Sequence, residues 1–124
     1  MTAADEGAHF ERDFYLQEFR GRTLGIACPA GLLREADPLA AVVQVLARND
    51  TNVIVISSRR DRLAAAVGDR ILPASTRQLE TAVWRALRQS SRLGILAGGR
   101  RPFAEQIREL ALRLGLFKLV WIDP

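Results

Sequence analysis

Four short apolar runs constrain the fold of this chain more than any other feature of its sequence. They cover residues 23–28, 52–57, 92–97 and 118–122, and each lies between turn residues or helix-like stretches. Runs of this length and composition are typical of parallel strands buried on both faces. Because amphipathic stretches separate the runs, the pattern predicts a three-layer α/β/α sandwich around a mostly parallel sheet of four or five strands.

Two of the amphipathic stretches have clear helix ends. Residues 37–49 begin with Asp37, a suitable N-cap, followed by Pro38 at the first helical position. Residues 102–114 end before Gly115, which suits a left-handed C-cap. The predicted inner face of this last helix consists of Phe103, Ile107, Leu110 and Leu114.

The stretch between the second and third apolar runs is predicted to hold two more helices and a short strand. Residues 59–67 form a short helix that ends at Gly68, and residues 69–73 add a fifth strand. Ser75 or Thr76 caps the next helix. Its predicted inner face consists of Leu79, Val83, Trp84 and Leu87.

The chain is predicted to comprise an N-terminal helical segment, residues 1–22, and a single α/β domain, residues 23–124. Its 124 residues are enough for one domain with a substantial core. Residues 10–19 place three phenylalanines among charged side chains. We therefore expect this segment to dock on its own domain or on a partner.

Composition excludes several classes of protein. With 48% hydrophobic and 26% charged residues, the chain is globular in character and not intrinsically disordered. No run approaches the roughly 18 apolar residues of a membrane helix, and the first residues are small and acidic, unlike a signal peptide. We expect a cytoplasmic protein without membrane contact. Cys28 and His9 are the only residues of their types, so we expect a buried core thiol, no metal site and no cofactor.

The positive charge of the chain argues only weakly for a nucleic-acid partner. The net charge of +4 comes from 17 arginines and one lysine against 14 acidic residues. The arginines are scattered over all predicted helices and interleaved with Asp and Glu, and the eight aromatic residues do not alternate with basic ones as a stacking platform would. We expect no nucleic-acid partner.

A family resemblance covers residues 10–57. A stretch containing Tyr15 precedes the sequence FRGRT at residues 19–23, which leads into the first apolar run. A glycine-bearing turn, a predicted helix and the second apolar run follow. This order resembles the opening of the amino-acid kinase family, above all acetylglutamate kinase and the kinase-like N-terminal domain of N-acetylglutamate synthase.

The two phosphate-binding motifs of that family are altered in this chain. The family has Lys-x-Gly-Gly after the first strand, where the lysine and the glycines face the transferred phosphoryl group. The corresponding positions hold Ala27, Cys28, Pro29 and Ala30. At the second loop the family's His-Gly-Gly-Gly corresponds to Ser57, Ser58, Arg59 and Arg60. The resemblance therefore implies a catalytically silent domain, with no catalytic residues to assign.

The resemblance also implies a role and partners. Such a domain would serve regulation, ligand sensing or assembly in arginine or N-acetylglutamate metabolism. We expect a homo-oligomer or a partner acetyltransferase, with a small anionic metabolite or arginine as ligand. The alternative from the residues alone is a Rossmann-like binding module for a small phosphorylated or carboxylated metabolite.

Two loops carry the candidate ligand-binding residues of this alternative. They follow the second and third apolar runs and contain Ser57, Ser58, Arg59 and Arg60 in one loop and Gly98, Gly99 and Arg100 in the other, where Arg101 adds a second arginine. Parallel sheets bind ligands at the carboxyl ends of their strands, where hydroxyls, guanidinium groups and helix N-termini hold anions. The loops can share one site only if their strands are neighbours. Otherwise the arginines are solvated and the glycines serve a tight turn.

Overall fold

A computed structural model describes residues 21–29 and 38–121 of the chain. Several predictions fall outside these residues, among them the N-terminal helix at residues 10–19, the N-cap at Asp37 and the turn position of Ala30. The following account concerns the described residues.

Five strands and four helices alternate along the chain. In order, they are β1 (Thr23–Cys28), α1 (Pro38–Arg48), β2 (Asn52–Ser57), α2 (Arg60–Val67), β3 (Ile71–Pro73), α3 (Leu79–Gln89), β4 (Arg92–Leu96), α4 (Phe103–Leu114) and β5 (Lys118–Trp121). Each predicted strand is present, including the short fifth one, and the strand ends agree with the sequence pattern to within two residues.

The five strands form one parallel sheet in the order β3-β4-β2-β1-β5. From β1 the chain runs outward to β2 and on to β3, with α1 and α2 on one face of the sheet. It then returns through β4 to β5, with α3 and α4 on the other face. After β3 the chain reverses its direction across the sheet and its helices also change face. All the crossovers therefore have the same handedness. The predicted α/β/α sandwich is confirmed.

The sheet separates the core into two apolar clusters. Alternate residues of each strand point to opposite faces, so β1 and β2 contribute to both clusters. The cluster under α1 and α2 includes Leu24, Ile26, Cys28, Leu39, Val43, Val53, Val55 and Leu63. The cluster under α3 and α4 includes Ile54, Ile56, Leu79, Val83, Leu93, Ile95, Ile107 and Leu110.

Helix α3 differs from its prediction at its start and on one face. It begins at Leu79 after Gln78, whose φ is 56°, and no side chain caps it. The hydroxyl of Thr76 instead donates to the carbonyl oxygen of Pro73 at 2.6 Å, which closes the preceding turn. Trp84 was predicted to face inward but is 38% exposed. It lies one helical step, about 100°, from the buried Val83, so it points away from the sheet.

Two helices end at glycines as predicted. Gly68 after α2 has φ 73° and Gly115 after α4 has φ 59°. Both are in the region that glycine adopts without the steric penalty of a Cβ atom. A third glycine serves packing, because a Cβ on Gly94 in β4 would lie 2.9 Å from a methyl carbon of Val67. Helix α2 therefore packs closely on the sheet at this point.

Candidate functional site

The two candidate loops leave from neighbouring strand ends. β2 pairs with β4 in parallel, Ser57 lies opposite Leu96, and the amide of Ala97 donates to the carbonyl oxygen of Ser57 at 2.9 Å. After β2 the chain continues to α2 on one face, and after β4 it continues to α4 on the other. Such a divergence between adjacent parallel strands opens a crevice at the carboxyl edge, the usual ligand position in open α/β sheets.

A cleft of about 630 Å³ lies at this edge, within the size range of small-molecule sites. We call it the edge cleft. Its floor is mostly apolar and comes from the ends of β3 and β4 and from α4. The floor and rim residues are Ser58, Pro73, Ala74, Ser75, Leu96, Ala97, Gly98, Gly99 and Leu110. One wall is charged and polar and consists of Arg101, Gln106, Glu109 and Arg113.

The structure brings together only part of the predicted set of binding residues. Ser58, Gly98 and Gly99 line the edge cleft. Of the others, Ser57 is buried in the sheet, and Arg60 and Arg100 are exposed without lining the cleft. Of the predicted residues, the two loops thus contribute only the backbone of Gly98 and Gly99 and the side chain of Ser58 to the cleft.

Arg59 also lies outside the cleft lining, and its guanidinium is engaged elsewhere. Its Nη2 lies 2.6 Å from Oδ2 of Asp61, and its Nε donates to Oδ1 of the same carboxylate at 3.1 Å. This hydrogen bonding holds the pKa of Asp61 below its ordinary value. The Arg59 amide donates to the Ser57 hydroxyl oxygen at 3.2 Å, so Ser57 serves the turn.

Apart from Arg101, which belongs to the predicted loop after β4, the charged wall was not predicted. Arg101 Nη1 lies 2.6 Å from Oε2 of Glu109, and Gln106 Nε2 donates to the backbone oxygen of Arg101 at 2.9 Å. Arg113 Nε donates to Oε1 of Glu80 at 2.5 Å, which ties α4 to the first turn of α3. The sequence contains one indication of this wall, since Glu109 and Arg113 are four residues apart on one helix face.

Charges of alternating sign run along this wall and continue to Glu80 on α3. We call the four residues Arg101, Glu109, Arg113 and Glu80 the charged row. The hydrogen bond from Arg113 lowers the pKa of Glu80. The hydrogen bond to Glu80 raises the pKa of Arg113, and the charges of Glu80 and Glu109 raise it further. Each guanidinium of the row therefore has a carboxylate partner.

A second polar feature lies at the carboxyl end of β1, on the face under α1 and α2. Cys28 is fully buried there, as predicted for a core thiol. Arg62 Nη1 donates to its Sγ at 2.6 Å, and Arg62 is only 7% exposed. A buried arginine on a mostly apolar helix face has no signature in the sequence. His9, the only imidazole, lies outside the described residues.

Neither metal chemistry nor a membrane span is indicated in the described part of the chain. Residues 21–29 and 38–121 contain no group of three or more potential metal ligands. No helix within these ranges is long and apolar enough to cross a membrane.

The fold and the edge cleft define an open parallel α/β protein with a ligand-sized crevice at the carboxyl edge of its sheet. No family model, curated protein or solved structure matches the chain. The resemblance to amino-acid kinases therefore depends on residues 10–57 alone.

Proposed function

We propose that this chain is a Rossmann-like binding module that takes a small phosphorylated or carboxylated metabolite in the edge cleft. In this proposal it acts in the cytoplasm as a ligand-sensing, regulatory domain and not as a kinase. The observation that carries the proposal is a cleft of about 630 Å³ at the carboxyl edge of the sheet, lined by the ends of β3 and β4, by α4 and by Ser58.

The lining of the cleft supports an anionic ligand. Arg101 and Arg113 supply guanidinium groups, which bind carboxylates and phosphates through bidentate hydrogen bonds. Ser58 supplies a hydroxyl. Gly98 and Gly99 have no side chains, so a ligand can approach the backbone closely. The apolar floor matches a ligand with a short carbon skeleton.

The environment at the end of β1 supports the absence of kinase activity. Ala27 and Cys28 stand at positions of the family's phosphate-binding motif, and both are fully buried. Pro29, the next residue, has no backbone N–H to donate. A silent kinase-like role in arginine or N-acetylglutamate metabolism is compatible with these positions. We propose it as the biological setting of the binding module.

Assembly is a second candidate function, favoured by the edge strand β5. Val120 and Trp121 are 41% and 43% exposed on this strand, whose outer edge has no partner strand among the described residues. Exposed edge strands invite pairing with another chain. We propose a homo-oligomer or a complex with an acetyltransferase. Light scattering tests this, and a monodisperse monomer at roughly 10–50 µM would contradict self-association through an interface of ordinary strength.

The binding proposal is tested by filling the cleft. A Cβ atom on Gly98 would meet no atom within 4 Å, so Gly98→Phe places a ring at the cleft without a backbone clash. Wild-type protein should gain thermal stability from phosphorylated or carboxylated metabolites, by about 2.7 kcal/mol at a hundred times Kd. Gly98→Phe should abolish this gain.

The matched control is Ala65→Phe, which adds the same ring at an exposed position on α2 outside the cleft. It should bind like the wild type. The proposal fails if no anionic metabolite stabilises the wild type, or if Gly98→Phe binds as well as Ala65→Phe does.

The absence of kinase activity is tested separately. Purified protein should show no ATP-dependent phosphorylation of acetylglutamate, because the motif positions hold Ala27 and Pro29. Turnover above background that substitutions in residues 27–31 remove would contradict this expectation.

A further inference from the structure

We infer that Glu109 is a built-in competitor in the edge cleft: it holds Arg101 until an anionic ligand displaces it, so that phosphate monoesters bind and monocarboxylates, which offer Arg101 no more than Glu109 does, bind poorly. This inference rests on the proposed function and narrows its ligand class. It starts from the ion pair between Arg101 Nη1 and Glu109 Oε2, 2.6 Å apart, in which both residues line the cleft.

The pair is arranged so that Arg101 can change partners. Its side chain and that of Glu109 are 58% and 45% exposed, and ion pairs this accessible to water are weak and readily exchanged. The backbone of Arg101 is anchored separately, because Gln106 Nε2 donates to its carbonyl oxygen at 2.9 Å. The guanidinium can therefore turn toward a ligand while the loop stays in place.

Glu109 has a second cation to which it can turn. Arg113 lies one helical turn further along α4, and the charge of Glu109 already acts on it. When a ligand takes Arg101, Glu109 can move toward Arg113. After this change of partner, Glu109 and Glu80 share Arg113, so that neither carboxylate is left without a cationic neighbour.

Competition with Glu109 determines which anions can bind. A monocarboxylate offers Arg101 the same group as Glu109, which is tethered beside it and has the higher effective concentration. A phosphate monoester carries a charge of about −1.5 to −2 near pH 7 and three acceptor oxygens. The phosphate can form a bidentate pair with Arg101 and still offer its third oxygen to Ser58, which also lines the cleft.

The test uses two matched pairs of probes, phenyl phosphate with benzoate and glycerol 3-phosphate with glycerate. Calorimetry on the wild type should show the phosphate of a pair binding about tenfold more tightly than the carboxylate. Below about pH 6, where the phosphate dianion takes up one proton and becomes a monoanion, this preference should shrink. Glu109→Gln should raise the affinity for all the probes, because each anion that takes Arg101 must displace the same carboxylate, and Arg101→Gln should weaken them all.

Glu105→Gln is the matched control, because Glu105 is an exposed carboxylate on the same helix that does not line the cleft. It should leave the affinities for the probes nearly unchanged. Equal affinity of the wild type for the two probes of each pair, or affinities that Glu109→Gln raises no more than Glu105→Gln does, would overturn the inference. If that binding is still abolished by Gly98→Phe, the proposed function stands and only the role of Glu109 falls. If no probe binds in a manner sensitive to Gly98→Phe, the binding function falls as well.

Discussion

The carboxyl edge of the sheet is closed on one face and open on the other. Under α1 and α2, Arg62 covers the end of β1 and donates to Cys28, and both residues are buried. Under α3 and α4, the ends of β3 and β4 open into the edge cleft, whose arginines are exposed and paired with carboxylates. Arginine thus serves as a buried packing residue at the end of β1 and as an accessible charge in the edge cleft.

The environment of an arginine decides whether its guanidinium can leave its partners and bind a ligand. A buried guanidinium exchanges water for a few fixed partners, so moving it is costly. An exposed ion pair keeps most of its hydration, so breaking it costs little. An exposed arginine such as Arg101 can therefore be recruited by a ligand, whereas the buried Arg62 cannot.

Truncating a core leucine on each face should give the largest effects. Leu63 on α2 is fully buried, and Leu63→Ala should reduce the free energy of unfolding by about 2–5 kcal/mol. Leu110 on α4 is buried but lines the edge cleft, so solvent can fill part of the space left by Leu110→Ala. Its loss should lie at or below about 2 kcal/mol, the low end for such truncations. Urea unfolding measures both, and equal losses would mean that the cleft is closed in solution.

Removing an arginine from each face should give the next largest contrast. Arg62→Ala should destabilise by about 1–3 kcal/mol, because it removes buried packing and the donor to Cys28. Arg101→Ala should change stability by less than about 0.5 kcal/mol, as expected for an exposed ion pair. If the two variants are equally stable, the closed face does not depend on Arg62.

The reactivity of Cys28 reports how tightly the closed face is covered. Because its side chain is fully buried, the native thiol should react with a disulfide reagent only as fast as the protein opens. Arg62→Ala should accelerate this reaction, whereas Arg101→Ala should not. Rapid labelling of the wild type would show that the end of β1 is accessible.

The smallest expected effect concerns the link between α3 and α4. Arg113 lowers the pKa of Glu80 below its ordinary value of 4.5, so the folded state binds a proton there less readily than the unfolded state. Glu80 therefore adds stability above pH 4.5, and this contribution is lost as the pH falls through the folded-state pKa. Glu80→Gln should flatten the acid side of the stability profile. An unchanged profile, with Glu105→Gln as the reference variant, would show that the ion pair does not persist in solution.

Local chemistry made part of the edge cleft predictable. The loops after β2 and β4 were predicted as candidate sites because small and basic residues follow buried strands there, and Ser58, Gly98 and Gly99 do line the cleft. Gln106, Glu109 and Arg113 of the charged wall were not predicted, because contacts such as the one between Arg113 and Glu80 join residues that are far apart in the chain. The sequence contained both Arg100 and Arg101, but only the conformation of the turn places Arg101 at the cleft.

The succession of strands and helices, the burial of β1, β2 and β4 and the ends of α2 and α4 are predictable from the sequence. They follow from apolar runs and from glycines at Gly68 and Gly115, which act over a few residues. The local pattern does not predict that β5 is an exposed edge strand, that β4 lies between β2 and β3, or that Arg62 is buried while Arg101 is not. Periodicity marks which side of an element is covered, but the neighbour that covers it is set by packing across the whole sheet.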